Sequence, residues 1–224
     1  ILNPETADSL SVGLIWTPTF ADLSIAVDYF DITVKDQVAQ FGAANIVSAC
    51  YNSENFPNDA LCTLFTRDLT AGSARRYQIL TVNDSYVNIS QQQNKGLDIN
   101  VRYKKELSFV DVTFNGRVSH ILDWTQQVFN ASAPTLLNSR IGSPETVGNF
   151  SVRFDRGDWT VFYGVDYVGE SDNQFLFPLA ANANGATTFL GEPVFVERGT
   201  DAYLNHTISV RKRIDKWTIQ AGIQ

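Results

Sequence analysis

The chain has 224 residues, with 17 Lys plus Arg against 24 Asp plus Glu (net charge −7), 44% hydrophobic and only 18% charged residues. The acidic balance gives no reason to expect nucleic acid as a partner, and no run approaches the 18 or so continuous apolar residues of a transmembrane helix. A β-barrel escapes that second exclusion, because its strands cross a bilayer as short alternating segments with a weak hydropathy signal.

Period-two alternation starts near the beginning. In 10–16, Leu10, Val12, Leu14 and Trp16 share one face, with Ser11, Gly13 and Ile15 on the other. In 23–29, Leu23, Ile25, Val27 and Tyr29 oppose Ser24, Ala26 and Asp28. The loose spacing of Val38, Phe41, Ala44 and Ile46 predicts a weak helix over 37–49, followed by Cys50 and Cys62. Two cysteines build neither a disulfide framework nor a four-ligand zinc site, but they can close a small loop in an oxidising compartment.

Alternation resumes with Leu97, Ile99, Val101 and Tyr103 against Asp98, Asn100 and Arg102, then with Val110, Val112 and Phe114 against Asp111, Thr113, Asn115 and Arg117. Phe150, Val152 and Phe154 oppose Ser151 and Arg153, and Trp159, Val161, Tyr163, Val165 and Tyr167 oppose Thr160, Gly164 and Asp166. Ile208 and Val210 oppose Thr207, Ser209 and Arg211, and Trp217, Ile219, Ala221 and Ile223 oppose Thr218, Gln220, Gly222 and Gln224. These segments predict eight strands of an all-β chain.

Three features favour an antiparallel transmembrane barrel wall over a soluble sandwich. The polar faces carry mid-strand charges (Asp98, Arg102, Asp111, Arg117, Arg153, Asp166, Arg211) that suit a water-filled lumen. Connections alternate between short (17–21, 104–106, 155–158, 213–216) and long (36–85, 120–146, 170–201), as periplasmic turns and extracellular loops do. Aromatics crowd the strand ends at the short turns: Trp16, Phe20, Tyr103, Phe154, Trp159 and Trp217. Amphipathic rings favour the boundary between hydrocarbon and headgroups.

No catalytic, cofactor or metal constellation stands out, so an enzyme is not expected. The two histidines make neither a zinc motif nor a triad; His120 is expected at the start of a long loop and His206 on the apolar face near the membrane boundary. Asp155 and Asp158 read as hairpin-turn residues, and Asp28 and Asp31 fall on opposite faces of one strand, where they cannot flank a single bond.

The order of motifs resembles the TonB-dependent outer-membrane receptors. NPETADSLSVGLIWTP resembles the segment and strand near the C-terminal part of that barrel, and ADLSIAVDYFDITVKD its next strand. VNISQQQNKGLDINVRY, DRGDWTVFYGVDYVG and DAYLNHTISVRK followed by DKWTIQAGIQ resemble later strands, so the likeness spans about 3–224. Members carry a plug domain inside a 22-stranded barrel, a TonB-contacting box before it, and a last strand ending in an aromatic. Residues 1–224 are therefore expected to be one incomplete barrel domain lacking plug and last strand, an expectation that agrees with the absence of methionine.

The resemblance implies a non-enzymatic outer-membrane receptor of a Gram-negative bacterium that takes up a scarce nutrient: siderophore-bound iron, cobalamin or an oligosaccharide. Its partners would be outer-membrane lipid, the plug and remaining strands, TonB, and the small-molecule ligand. Ligand contacts are then expected from the long loops: Tyr51, Phe56, Phe175 and Phe177 as stacking rings, and Arg75 and Arg76 as attractors of an anionic complex. A soluble all-β carbohydrate- or protein-binding module, or a small self-standing porin-like barrel, is the alternative. The porin requires the first and last strands to pair with each other.

Overall fold

A computed structural model describes residues 2–84, 86–127, 134–172, 188–193 and 198–224. Eight long strands follow one another in the chain and in the sheet. They are β1 (Thr6–Trp16), β2 (Asp22–Gln40), β3 (Tyr86–Leu107), β4 (Val110–Gln127), β5 (Thr146–Arg156), β6 (Trp159–Val168), β7 (Tyr203–Ile214) and β8 (Trp217–Ile223). The sheet order is the chain order, with the two-residue strand Thr135–Leu136 added beside β4. β1 and β8 stand at the two ends of that order, so the sheet is open and the pairing needed by a self-standing eight-stranded barrel is not made.

Each long strand lies beside its neighbour in sequence, so the short connections share one end of the sheet. The β5–β6 and β7–β8 hairpins turn on two residues each, where Gly157 (φ 56°) and Asp215 (φ 52°) supply the left-handed conformation such turns require. The β3–β4 turn falls on Ser108 and Phe109, so 104–106 is strand rather than turn.

Register sorts the side chains onto two faces. Val112, Phe154, Val161, Val210 and Ala221 form one row across β4–β8, and Phe114, Val152, Tyr163, Ile208 and Ile223 the next. On the opposite face the rows read Asp111, Asp155, Thr160, Arg211, Gln220 and then Arg117, Asn149, Asp166, Asn205.

Among the described residues the apolar face stays accessible even on the inner strands: Phe154 is 40% exposed, Tyr163 41% and Ile208 44%. Among the described residues the only buried hydrophobics are Ile46, Cys50 and Leu61, none of which lies on a wall strand. A soluble monomer does not leave eight strands' apolar face uncovered. A bilayer covers such a face, and between neighbouring wall strands the backbone groups are already paired.

Strand lengths depart from the periodicity. β5 and β6, at 11 and 10 residues, match the roughly 9–11 residues of one bilayer crossing. β2, β3 and β4 run to 19, 22 and 18 residues, nearly twice that requirement. The expected loops 36–85 and 120–146 therefore begin or end later, and His120 lies inside β4, where its Nδ1 is 2.8 Å from Thr146 Oγ1. The expected helix over 37–49 is likewise displaced: strand continues to Gln40 and the helix occupies Ala43–Asn52.

Two compact units result. One comprises the described residues within 1–7, 34–92 and 127–133; the other comprises those within 8–33, 93–126 and 134–224 and holds most of the wall. In the second, Gly96 marks a close approach. A Cβ there would lie 2.6 Å from Phe30 Cζ and 2.8 Å from the His120 carbonyl oxygen. The ring can rotate away, but the backbone carbonyl cannot. Gly96→Val is expected to cost about 1–3 kcal/mol by overpacking, read as a lower denaturation midpoint of the detergent-folded chain.

Candidate ligand-contacting lobe and polar wall

The first unit contains a small lobe inserted between β2 and β3, with a core of its own. The helix Ala43–Asn52, labelled α1, buries Ile46 and Cys50 against Leu61 of the short 3-10 turn Ala60–Leu64. Phe41, Ala49, Cys62, Leu64, Phe65 and Val82 pack around them. A ten-residue helix is marginal alone in water. Here a disulfide between Cys50 and Cys62 ties it to the 3-10 turn, with their Cα atoms 5.0 Å apart. Strands Phe65–Arg67 and Ile79–Val82 pair to complete the lobe.

Two carboxylates hold the irregular segments. Asp59 caps the 3-10 turn, accepting from the Leu61 N–H at 2.9 Å and from Ser53 Oγ at 2.6 Å. Asp68 accepts from the Thr70 N–H at 2.9 Å and from Ser73 Oγ at 2.5 Å. The Ser53 hydroxyl first, then the Leu61 N–H, hold the Asp59 carboxyl below its usual range, against a small opposing effect of burial. The Ser73 hydroxyl and Thr70 do the same for Asp68.

A depressed folded-state pKa means stabilisation that is fully present above the unfolded value and lost as pH falls through the folded one. Amide exchange over 59–64 is therefore expected to accelerate only below the ordinary carboxylate range. Asp59→Ala should produce that faster exchange at neutral pH as well, at about 1 kcal/mol, the usual worth of an N-cap. Loss of protection between pH 5 and 7 would contradict this.

The opening NPET segment also meets this unit. Glu5 Oε1 accepts the Val38 N–H, while the Asn88 side-chain amide donates to the carbonyls of Asn3 at 3.0 Å and Asp36 at 2.6 Å. Asn88 Oδ1 takes the Asn3 N–H at 2.9 Å in return. The motif thus fastens the chain before β1 to the far ends of β2 and β3.

Aromatic side chains gather on the lobe's exterior. The Tyr51 and Phe56 rings lie 5.1 Å apart, and Tyr51 and Phe65 6.2 Å apart. The Arg67 guanidinium sits 5.5 Å from the Tyr51 ring centroid and 5.6 Å from that of Phe65, and donates to the Tyr51 hydroxyl and the Tyr77 carbonyl. Tyr51 and Phe56 remain 44% and 48% exposed, so the cluster is both organised and accessible.

Of the residues singled out in the sequence, Tyr51 and Phe56 are brought together. Arg76 lies instead over the ring of its neighbour Tyr77, its guanidinium 4.8 Å from the centroid. Arg75 is an exposed loop residue whose N–H donates to Ser73 Oγ at 3.1 Å. Phe175 and Phe177 lie outside the described residues. Arg67 and Phe65 were not singled out. Their i, i+2 spacing in Phe65–Arg67 is the one signal that puts a cation and a ring on one face.

On the second unit, the polar face is a hydrogen-bonded network between strands. Arg117 Nε donates to Asn100 Oδ1 at 3.0 Å, Asn149 donates to Asp166, and Arg102 lies 3.5 Å from Asp22. Asp155 accepts from Arg153 Nε and Thr160 Oγ1, both at 2.7 Å, and Arg211 Nη2 donates to Thr160 Oγ1 at 3.0 Å. The mid-strand charges Arg102, Arg117, Arg153, Asp166 and Arg211, costly in hydrocarbon, thus lie on one side and are hydrogen-bonded or ion-paired there. Among the described residues no group of three or more His, Cys, Asp or Glu is arranged to hold a metal ion.

Comparison with known proteins agrees with this geometry. A family model described as TonB dependent receptor-like, beta-barrel matches residues 1–224. The siderophore receptor PirA from Acinetobacter baumannii is similar in fold, with TM-score 0.56 and 14% identity over 99% of this chain and 27% of that one. A mutant of the ferric enterobactin receptor PfeA from Pseudomonas aeruginosa gives TM-score 0.54 and 11% identity over 97% and 25%. The copper transporter OprC gives TM-score 0.50 and 12% identity over 99% and 25%. The chain thus spans about a quarter of the length of these structures. No match is found among curated proteins. With its open antiparallel sheet of one apolar and one polar face, the chain belongs to the TonB-dependent receptor β-barrel family.

Proposed function

We propose that this chain works in the outer membrane of a Gram-negative bacterium, as the wall segment of a receptor that imports a scarce nutrient: siderophore-bound iron, another metal complex, cobalamin or an oligosaccharide. In that reading residues 1–224 act as one barrel segment whose apolar face meets lipid. The polar face meets a plug domain, and TonB supplies energy through that plug. No bond of the ligand is made or broken.

The observation that carries the ligand role is the pair of exposed rings Tyr51 and Phe56 beside Arg67, built on a disulfide-tied lobe. Rings and a guanidinium held in place lose little entropy on binding a flat or anionic ligand. The uncovered apolar face argues against the soluble-module alternative.

The test titrates the chain in detergent with ferric enterobactin, cyanocobalamin and maltoheptaose, following intrinsic fluorescence. One of them should bind, and Tyr51→Ala with Phe56→Ala should weaken it at least tenfold. Binding that ignores the double substitution, or no binding by any probe, would remove the lobe from the ligand site.

A further inference from the structure

A basic–aromatic–basic row lies across three strands of the second unit, at the turn end of the apolar face. Arg156 of β5 is the register partner of Trp159 of β6, and Trp159 is the partner of Lys212 of β7. All three occupy the face that carries Phe154, Val161 and Val210 in the adjacent row. Lys212 Nζ lies 4.6 Å from the Trp159 ring centroid. Arg156 and Trp159 are exposed and Lys212 is half-buried.

Among the described residues neither cation makes an ion pair. The Asp155 carboxylate is engaged on the opposite face by Arg153 and Thr160. Two cations therefore flank an indole at the edge of a hydrocarbon-facing surface, and no carboxylate among the described residues forms a salt bridge with either.

We propose that this row is a binding site for an anionic glycerophospholipid of the periplasmic leaflet. Arg156 and Lys212 take the phosphodiester, Trp159 packs at the glycerol level, and the acyl chains lie along Val161, Tyr163, Val210 and Ile208. The site rests on the lipid-facing reading of the apolar face and is independent of the imported ligand. Basic side chains at this depth attract anionic headgroups. The adjoining apolar rows give a lipid, and not free phosphate, the rest of its contact area. The inward-facing Arg213, register partner of Thr218 on the polar face, has no place in it.

The test adds dioleoyl-phosphatidylglycerol or dioleoyl-phosphatidylcholine to the full chain in a non-ionic detergent and counts bound lipid by native mass spectrometry. At about 1 kcal/mol, or roughly fivefold, per cation, Arg156→Gln with Lys212→Gln should weaken phosphatidylglycerol binding by ~25-fold. Phosphatidylcholine binding should stay within twofold, as should phosphatidylglycerol binding to Arg213→Gln, which removes a charge from the other face. Inorganic phosphate at the same concentration should not displace the lipid. A loss below tenfold in the double variant, an equal loss in Arg213→Gln, no preference of the unsubstituted chain for phosphatidylglycerol, or displacement by phosphate would each overturn the proposal.

Discussion

Arginine in place of Ile208 is expected to destabilise the folded wall by about 2–4 kcal/mol, the cost of a charge facing lipid near the bilayer midplane. Ile208 pairs with Tyr163 and Ile223 on the apolar face, in the third of the five outward rows between Trp159 and Tyr167. The adjacent substitution Thr207→Arg places the same side chain opposite Gly164 on the polar face. There it stays in water and should cost less than about 1 kcal/mol. Equilibrium unfolding of both variants from lipid vesicles, followed by tryptophan fluorescence, gives the comparison. One residue of register decides which side of the wall the charge meets. Equal costs would mean that the two faces see the same medium.

The second large effect concerns the lobe. Replacing Cys50 and Cys62 together by alanine should remove about 2–4 kcal/mol of lobe stability. The bond closes a loop across a sequence separation of 12, and its loss frees a ten-residue helix that is not stable by itself. Two of the lobe's three buried hydrophobics, Cys50 and Leu61, sit at or beside the bond, so the core loosens with it. Hydrogen exchange over Ala43–Asn52 should rise by at least tenfold, while exchange in β5–β7, which belong to the other unit, should stay unchanged. Loss of protection throughout the chain would show that lobe and wall unfold as one cooperative body.

All eight wall strands were legible from alternation, because within the hydrocarbon thickness lipid demands apolar side chains at every second position. The far halves of β2 and β3 were not legible, and β2 shows why. Up to Tyr29 the odd positions are apolar, but Asp31 on that same face meets Gln93 at 3.0 Å and Lys95 at 3.5 Å, while Phe30 on the other face lies against Gly96. Beyond the apolar band the polarity of the faces inverts. A strand there is held by its ladder, not by lipid, so hydropathy no longer reports it.

The candidate site was half legible. The exposed rings Tyr51 and Phe56 stood out by residue type within a loop. Arg67, which joins them to Tyr77, lies 16 residues from Tyr51, and that contact exists only once the helix and the strand pair have folded. Arg75 and Arg76 stood out as a pair, yet adjacent residues take different partners, and only Arg76 meets a ring.

The central claim is that one face of this sheet meets lipid and the other meets water. Single cysteines carrying a nitroxide at each of 159–168 in β6, in vesicles, test it most directly, because the native cysteines are already bonded to each other. Collision with oxygen should be high and with a water-soluble nickel chelate low at 159, 161, 163, 165 and 167, with the reverse at 160, 162, 164 and 166. A scan without that period of two, or with the phase inverted, would contradict the barrel-wall account.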